Sequence, residues 1–181
     1  ATFYLAPGKH PQPHHLDAWR AVARSGHELG NHGLFHACSG SRPERSWVVP
    51  HRDLDTTTVA QMHDQVRMAN LFLHALDGRN ERTFTAPCGD RLARDGDYVD
   101  GLREWFVGIK VVDGAKAASD MAGFDRHAVL IEAPVGAPGA ELIAQVEAAA
   151  RNGTVAAFTF HGIGGDYLSI STQAHEELLD H

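Results

Sequence analysis

The sequence predicts an α/β protein built on a parallel sheet covered by helices. Extended and helical patterns alternate along the chain and give roughly six strands. Several of those strands are apolar with no polar alternate face, as strands buried on both sides are. Three chemistry-bearing groups also fall where predicted strands end, the edge at which ligands gather in open α/β sheets and in barrels alike. Either architecture satisfies these patterns.

The elements follow in order. Ala1-Thr2-Phe3-Tyr4-Leu5 reads as a strand, and Pro7 to His14 as a loop. Leu16, Trp19 and Val22 repeat at helical spacing in a helix that stops at Gly26. His27 to Gly30 forms a short strand, and 37 to 52, with Gly40, Pro43 and Pro50, is irregular. A helix runs from Thr57 to Leu76, with Asp55 as its cap and Gly78 as its stop. Arg82 to Ala86 is a strand broken by Pro87-Cys88-Gly89, Tyr98 to Trp105 a helix, and Phe106 to Val112 a strand. Asp113 to Asp125 is a loop and Ala128 to Ala133 a strand. A helix from Ala140 to Asn152 closes at Gly153, Val155 to Phe160 is an apolar strand ending at His161, and a last helix starts near Ser171. Trp19 and Trp105 are expected in the core.

With 181 residues and 43% apolar content, the chain is expected to form one domain spanning 1–181. A net charge of −7 argues against nucleic acid or an anionic membrane as partner, since both favour a basic face. No apolar run approaches membrane-spanning length, and compartment and oligomeric state stay open. Cys38 and Cys88 are the only two cysteines and lie far apart, so neither a disulfide framework nor a Cys-rich zinc site is expected. The chain opens directly on a strand without an initiator Met and closes inside a helical pattern, so a fragment of something longer is expected.

The chemistry centres on Gly26-His27-Glu28-Leu29-Gly30-Asn31-His32-Gly33-Leu34-Phe35-His36. His32 and His36 are four apart; a helical turn there projects both imidazoles to one side, where they can hold one metal ion. The competing reading is two polar loop histidines in a chain with thirteen. A catalytic zinc or cobalt site needs a third ligand, usually a carboxylate, for which Asp53, Asp55, Asp90 and Asp166 stand available. His161, before a glycine-rich loop, fits a ligand or a general acid. Cys88 has no base beside it in sequence, but the backbone N–H of its turn can donate to a developing oxyanion. Trp47, on a loop, suits stacking against a sugar ring. The remaining histidines are expected to be surface or structural.

This ordered set resembles the polysaccharide deacetylases of carbohydrate esterase family four, which share the NodB homology domain. Gly26 through His36 is similar to that family's second motif, whose two histidines bind a divalent metal. Phe84-Thr85-Ala86-Pro87-Cys88-Gly89 is similar to the third motif, and Phe158-Thr159-Phe160-His161 to the fifth, whose histidine is the general acid. The resemblance implies a distorted (β/α)7-type barrel, its first strand missing from this chain, that removes N- or O-linked acetyl groups from a carbohydrate. It implies zinc as the metal, with cobalt or nickel as substitutes, His32 and His36 as ligands, His161 as acid and the Cys88 N–H as oxyanion donor; Pro87 in the same turn and Trp47 on its loop are the residues expected at the substrate.

The departures are specific. The Asp-Asp pair that supplies the family's base and third ligand belongs upstream of residue 1, so a chain without it is expected to be impaired. Thr85 stands where the family carries an arginine, Cys88 where it carries an aromatic residue, and Thr159 where it carries a leucine. Lys110 and Asp113 are the substitutes available for the fourth motif. Two alternatives remain: a non-catalytic carbohydrate-binding barrel with a vestigial metal site, and an amidohydrolase acting on a small non-sugar amide.

Overall fold

Four parallel strands frame the first part of the chain: β1 (Thr2–Leu5), β2 (Glu28–Asn31), β3 (Thr83–Thr85) and β4 (Gly108–Val111). The computed structural model describes residues 1–9, 11–111, 121–165 and 167–181, so the readings at His10, Val112, Asp113 and Asp166 lie outside the described residues. Contacts divide the chain into two units, Ala1–Lys110 and Val111–His181.

In the first unit each strand pairs with the one before it. Thr2 faces Glu28, Asn31 faces Phe84, and Thr85 faces Lys110. Spatial order therefore follows chain order, as in singly wound barrels, whereas a doubly wound sheet reverses direction at its switch point. The α/β architecture expected from the sequence is the one observed.

Two helices cover this sheet. In α1 (Leu16–Arg24), Trp19, Val22 and Ala23 pack on Leu5 of β1 and Leu29 of β2, with Leu73 of the next helix closing the cluster. In α2 (Val59–Asp77), Met62, Val66, Ala69 and Leu73 are fully buried at helical spacing. Its N-cap is Thr58 instead of Asp55: the Thr58 hydroxyl accepts from Gln61 N at 3.1 Å, and the Gln61 side chain accepts from Thr58 N at 2.8 Å. Asp55 is already committed to the Ser41 amide at 2.8 Å. Gly78, at φ +71°, ends the helix where a side chain would be strained.

The joint between α2 and β3 is a buried ion pair. Arg82 and Asp77 side chains are each 1% exposed and 3.1 Å apart. Arg82 also donates to the carbonyls of Leu29 at 2.7 Å and Arg79 at 2.6 Å. At the amino end of the sheet the Glu28 carboxylate accepts from the Thr2 hydroxyl at 2.7 Å and the Thr83 hydroxyl at 2.9 Å, bolting three strands together. Tyr4 lies across Gly30, where a β-carbon would come within 2.6 Å of its ring.

The second unit contains a short strand β5 (Val129–Leu130) and two helices, α3 (Gly139–Asn152) and α4 (Thr172–Asp180). The Ser171 hydroxyl caps α4 by accepting from Ala174 N at 3.0 Å. No helix among the described residues is long and apolar enough to cross a membrane.

Several expectations are corrected. Tyr98 to Trp105 is not a helix; it contains only a 3-10 turn, Asp100–Leu102, because the Asp97 carboxylate takes the Val99 amide at 2.8 Å and folds the backbone locally. A hairpin that the apolar pattern does not reveal, Leu92–Ala93 against Gly96–Asp97, precedes it. Trp19 and Trp105 are half-buried, the latter under Arg67 at 4.5 Å. Ala128 to Ala133 shortens to β5, and Val155 to Phe160 forms no strand among the described residues. Among the described residues its backbone meets a partner at the Glu132–Phe158 bridge, where Glu132 N donates to Ala157 O and Thr159 N to Glu132 O. Apolar β-branched composition gives extended propensity, but without a neighbouring ladder it gives no strand.

Candidate functional site

The site begins where β2 ends. His32 N donates to Leu5 O at 3.0 Å, carrying the β1–β2 ladder one residue past the strand. Asn31, fully buried, then fixes the turn: its amide donates to Val66 O and Asn70 Oδ1 of α2, at 3.0 and 2.7 Å, while its oxygen accepts from Gly33 N at 2.8 Å. Gly33 (φ +70°) and His36 (φ +56°) both take the left-handed conformation. The His-x-x-x-His stretch is therefore a looped bend, not the helical turn expected from its spacing, because two left-handed residues break any helical run.

The bend still brings the imidazoles together. The His32 and His36 rings lie 4.8 Å apart between centroids, nearly perpendicular at 82°. His32 Nδ1 is 2.8 Å from Thr85 O. A carbonyl can only accept, so Nδ1 carries the proton and Nε2 keeps the lone pair with which a histidine binds metal. Thr85, read from sequence only as a substitution, contributes through its backbone at the end of β3.

The facing turn corrects the expectation about cysteine. Cys38 and Cys88 form a disulfide with Cα atoms 5.9 Å apart. The sequence separation of 50 conceals what the sheet does: β2 and β3 are neighbours, so segments leaving their ends run side by side. Pro87–Gly89 is a 3-10 turn with Pro87 buried and Cys88 at φ +58°. Gly89 N and Asp90 N donate to Ala86 O and Pro87 O, at 3.1 and 3.0 Å; among the described residues no backbone carbonyl takes the Cys88 N–H.

The described aspartates proposed as third ligand are engaged elsewhere. Asp90, 1% exposed, accepts from Ser39 N at 2.9 Å and pairs with Arg42 at 3.0 Å and Arg45 at 2.7 Å. Asp53 accepts from Gly40 N and Asp55 N, and the side chain of Asp55 is held below the usual carboxylate range by its hydrogen bond with Ser39. Among the described residues, His36, Cys38 and Cys88 form the one group of three potential ligands, their donor atoms all within 4.8 Å.

The sequence did not single out Tyr4 or Asn31, although both shape this edge. Tyr4 lies with its ring 6.5 Å from that of His32, and burial raises its phenol to about 12. Lys110, at the end of β4, places its ammonium 4.1 Å from the Tyr4 ring centre, and burial lowers it to about 8. Alternation along β1 and β4 was the available signal, since a polar residue at a strand's carboxyl end faces the ligand edge. Trp47 is 53% exposed, with Lys9 and Arg45 each 6.0 Å from its ring. His161, exposed, lies in the second unit and follows no ladder strand; it precedes the short parallel pair of Gly162–Ile163 with Ser169–Ile170. A cavity of about 330 Å³ also lies in that unit, between Leu130, Ala148 and Phe158, and is lined by none of these residues.

A singly wound parallel sheet with paired imidazoles at its carboxyl edge defines an α/β protein of the NodB kind. The family model for polysaccharide deacetylase matches residues 1–102, more than half the chain. The chain belongs to the polysaccharide deacetylase family. Among solved structures, two mutants of BA3943, a CE4 family pseudoenzyme, one with restored enzymatic activity, match at 15% identity and a TM-score of 0.49. The wild-type protein from Bacillus anthracis matches at the same identity and score. The matches cover 99% of this chain and 48–49% of those chains, so it spans about half their length. No curated protein matches the chain significantly.

Proposed function

We propose that this chain carries the ligand edge of a metal-dependent hydrolase that removes N- or O-linked acetyl groups from a carbohydrate. The observation that supports it most is the placement of the two imidazoles: His32 Nδ1 is given to Thr85 O, and its ring lies 4.8 Å from that of His36. Two neutral imidazoles suit zinc, with cobalt or nickel as substitutes, and form two of the three protein ligands usual in catalytic zinc sites. When bound, such an ion supplies Lewis acidity at the acetyl carbonyl and an acidified water.

The chain's own residues divide the remaining work. The Cys88 N–H donates to the oxygen that gains charge during attack. Pro87 walls the acetyl group and Trp47 stacks on the sugar. His161 protonates the leaving amine or alkoxide. On the family resemblance the base and the third ligand are expected in an Asp-Asp motif upstream of Ala1, so the decisive assay uses the full-length protein.

In that protein His32→Ala is expected to abolish stoichiometric zinc in elemental analysis and acetate release from an acetylated oligosaccharide together. Unchanged zinc content refutes the ligand assignment. Zinc binding with glycan binding but no acetate points instead to the non-catalytic barrel, and cleavage of a small amide without acetate to the amidohydrolase reading.

A further inference from the structure

The disulfide lies against one of the paired imidazoles, and that contact carries a second site. His36 Nδ1 is 3.4 Å from Cys38 Sγ, and His36, Cys38 and Cys88 hold their donor atoms within 4.8 Å of one another. We propose that reduction of the Cys38–Cys88 bond turns these three residues into a binding site for a thiophilic divalent cation, zinc or cobalt, with a donor set distinct from the His32–His36 pair.

Three features support the site. The first is distance. Tetrahedral coordination with Zn–S of about 2.3 Å and Zn–N of about 2.0 Å places sulfur and nitrogen roughly 3.5 Å apart. The His36–Cys38 separation already matches. The second is a backbone that holds without the bond. Leu54 N donates to Cys38 O at 3.0 Å, Ser39 N to the buried Asp90 at 2.9 Å, and Gly89 N to Ala86 O at 3.1 Å, so both cysteines are placed by hydrogen bonds and by the β2–β3 register. The third is access. Cys38 is 1% exposed, whereas Cys88 and His36 are half-buried, which gives a site closed behind and open in front for a water as fourth ligand.

The chemistry balances with a dithiol or phosphine reductant. The reductant gives two electrons, the S–S bond breaks, and two protons from solvent or the dithiol yield two thiols; a dithiol leaves as its own disulfide, and a phosphine as its oxide, with oxygen taken from water. Cation binding then releases both thiol protons to solvent, and two thiolates neutralise the divalent charge. Only one consequence rests on the deacetylase reading: His36 would then be shared between two donor sets, so reduction would withdraw it from the hydrolytic metal.

Cobalt titration tests the site directly. The full-length protein, reduced with a phosphine and desalted without oxygen, is expected to gain a thiolate-to-cobalt charge-transfer band that saturates at one ion per chain. The oxidised protein should lack that band, because cobalt held by His32 and His36 alone has no sulfur ligand. Cys88→Ser should lose the saturating band, and His36→Ala should weaken cobalt binding at least about tenfold. A band of equal strength in Cys88→Ser, its presence in the oxidised protein, or its absence from reduced protein with intact near-ultraviolet circular dichroism overturns the proposal. Reduced protein that loses that dichroism and does not regain it with cobalt overturns it as well.

Discussion

Two joints in the first unit, only a few residues apart along β3, are built on opposite terms. At its amino end, Asp77 and Arg82 are sealed from water, and the guanidinium spends its donors on a carboxylate and two carbonyls. At its carboxyl end, two non-glycine residues, His36 and Cys88, occupy the left-handed conformation with half-buried side chains, and the Cys38–Cys88 disulfide ties the two turns together. Left-handed backbone at a non-glycine residue costs about 1–2 kcal/mol. The sheet is thus rigid at the edge that does no chemistry and strained at the edge that holds the imidazoles, where strain persists only because neighbours over-determine it.

Breaking the rigid joint should have the largest effect. Asp77→Ala leaves the Arg82 charge buried without its carboxylate and should cost about 3–5 kcal/mol in chemical denaturation, with little change in zinc affinity per folded molecule. Removing the covalent tie at the other end comes next. Replacing both cysteines by alanine frees a loop with a sequence separation of 50 and should cost up to about 4 kcal/mol. Unlike the first change, it should also loosen zinc binding at His32 and His36. Asn31→Ala takes the acceptor from Gly33 N and the donor from Asn70 Oδ1, for about 2–3 kcal/mol in the same denaturation experiment. If it leaves metal affinity untouched, the bend does not depend on its anchor to α2.

The smallest effect is electrostatic. Lys110 is lowered from 10.5 to about 8 by burial, so the unfolded chain binds more protons than the folded chain between those values. Stability should therefore rise as pH increases from about 8 to 10.5, by on the order of 2 kcal/mol from this group after allowance for solvent screening. Lys110→Met should flatten that part of the curve, and lysine-detected NMR should place its titration near 8.

Much of the frame was legible because it rests on periodicity. Leu16, Trp19 and Val22, and the α2 residues from Met62 to Leu73, advertise buried helix faces, and Gly78 marks a stop that any side chain would oppose. The His32–His36 pairing was legible for the wrong geometric reason, since residues four apart can meet across a bend as well as around a helical turn. What stayed hidden depends on contacts between distant segments. No local pattern shows that Cys38 and Cys88 are neighbours, that a carbonyl of Thr85 orients His32, or that residues 155 to 160, among the described residues, meet Glu132 at a bridge and form no strand. Thr58 displaced Asp55 as the cap because the aspartate was already spent on Ser41, a competition visible only in three dimensions.

The pairing of Asn31 with Phe84 places one cysteine seven residues beyond β2 and the other three beyond β3. Until those strands are in register, the two thiols meet only by random closure of a long loop. Closure of this bond during refolding therefore follows strand alignment. Trapping free thiols at timed intervals gives a clock for assembly of the sheet, readable without any optical probe.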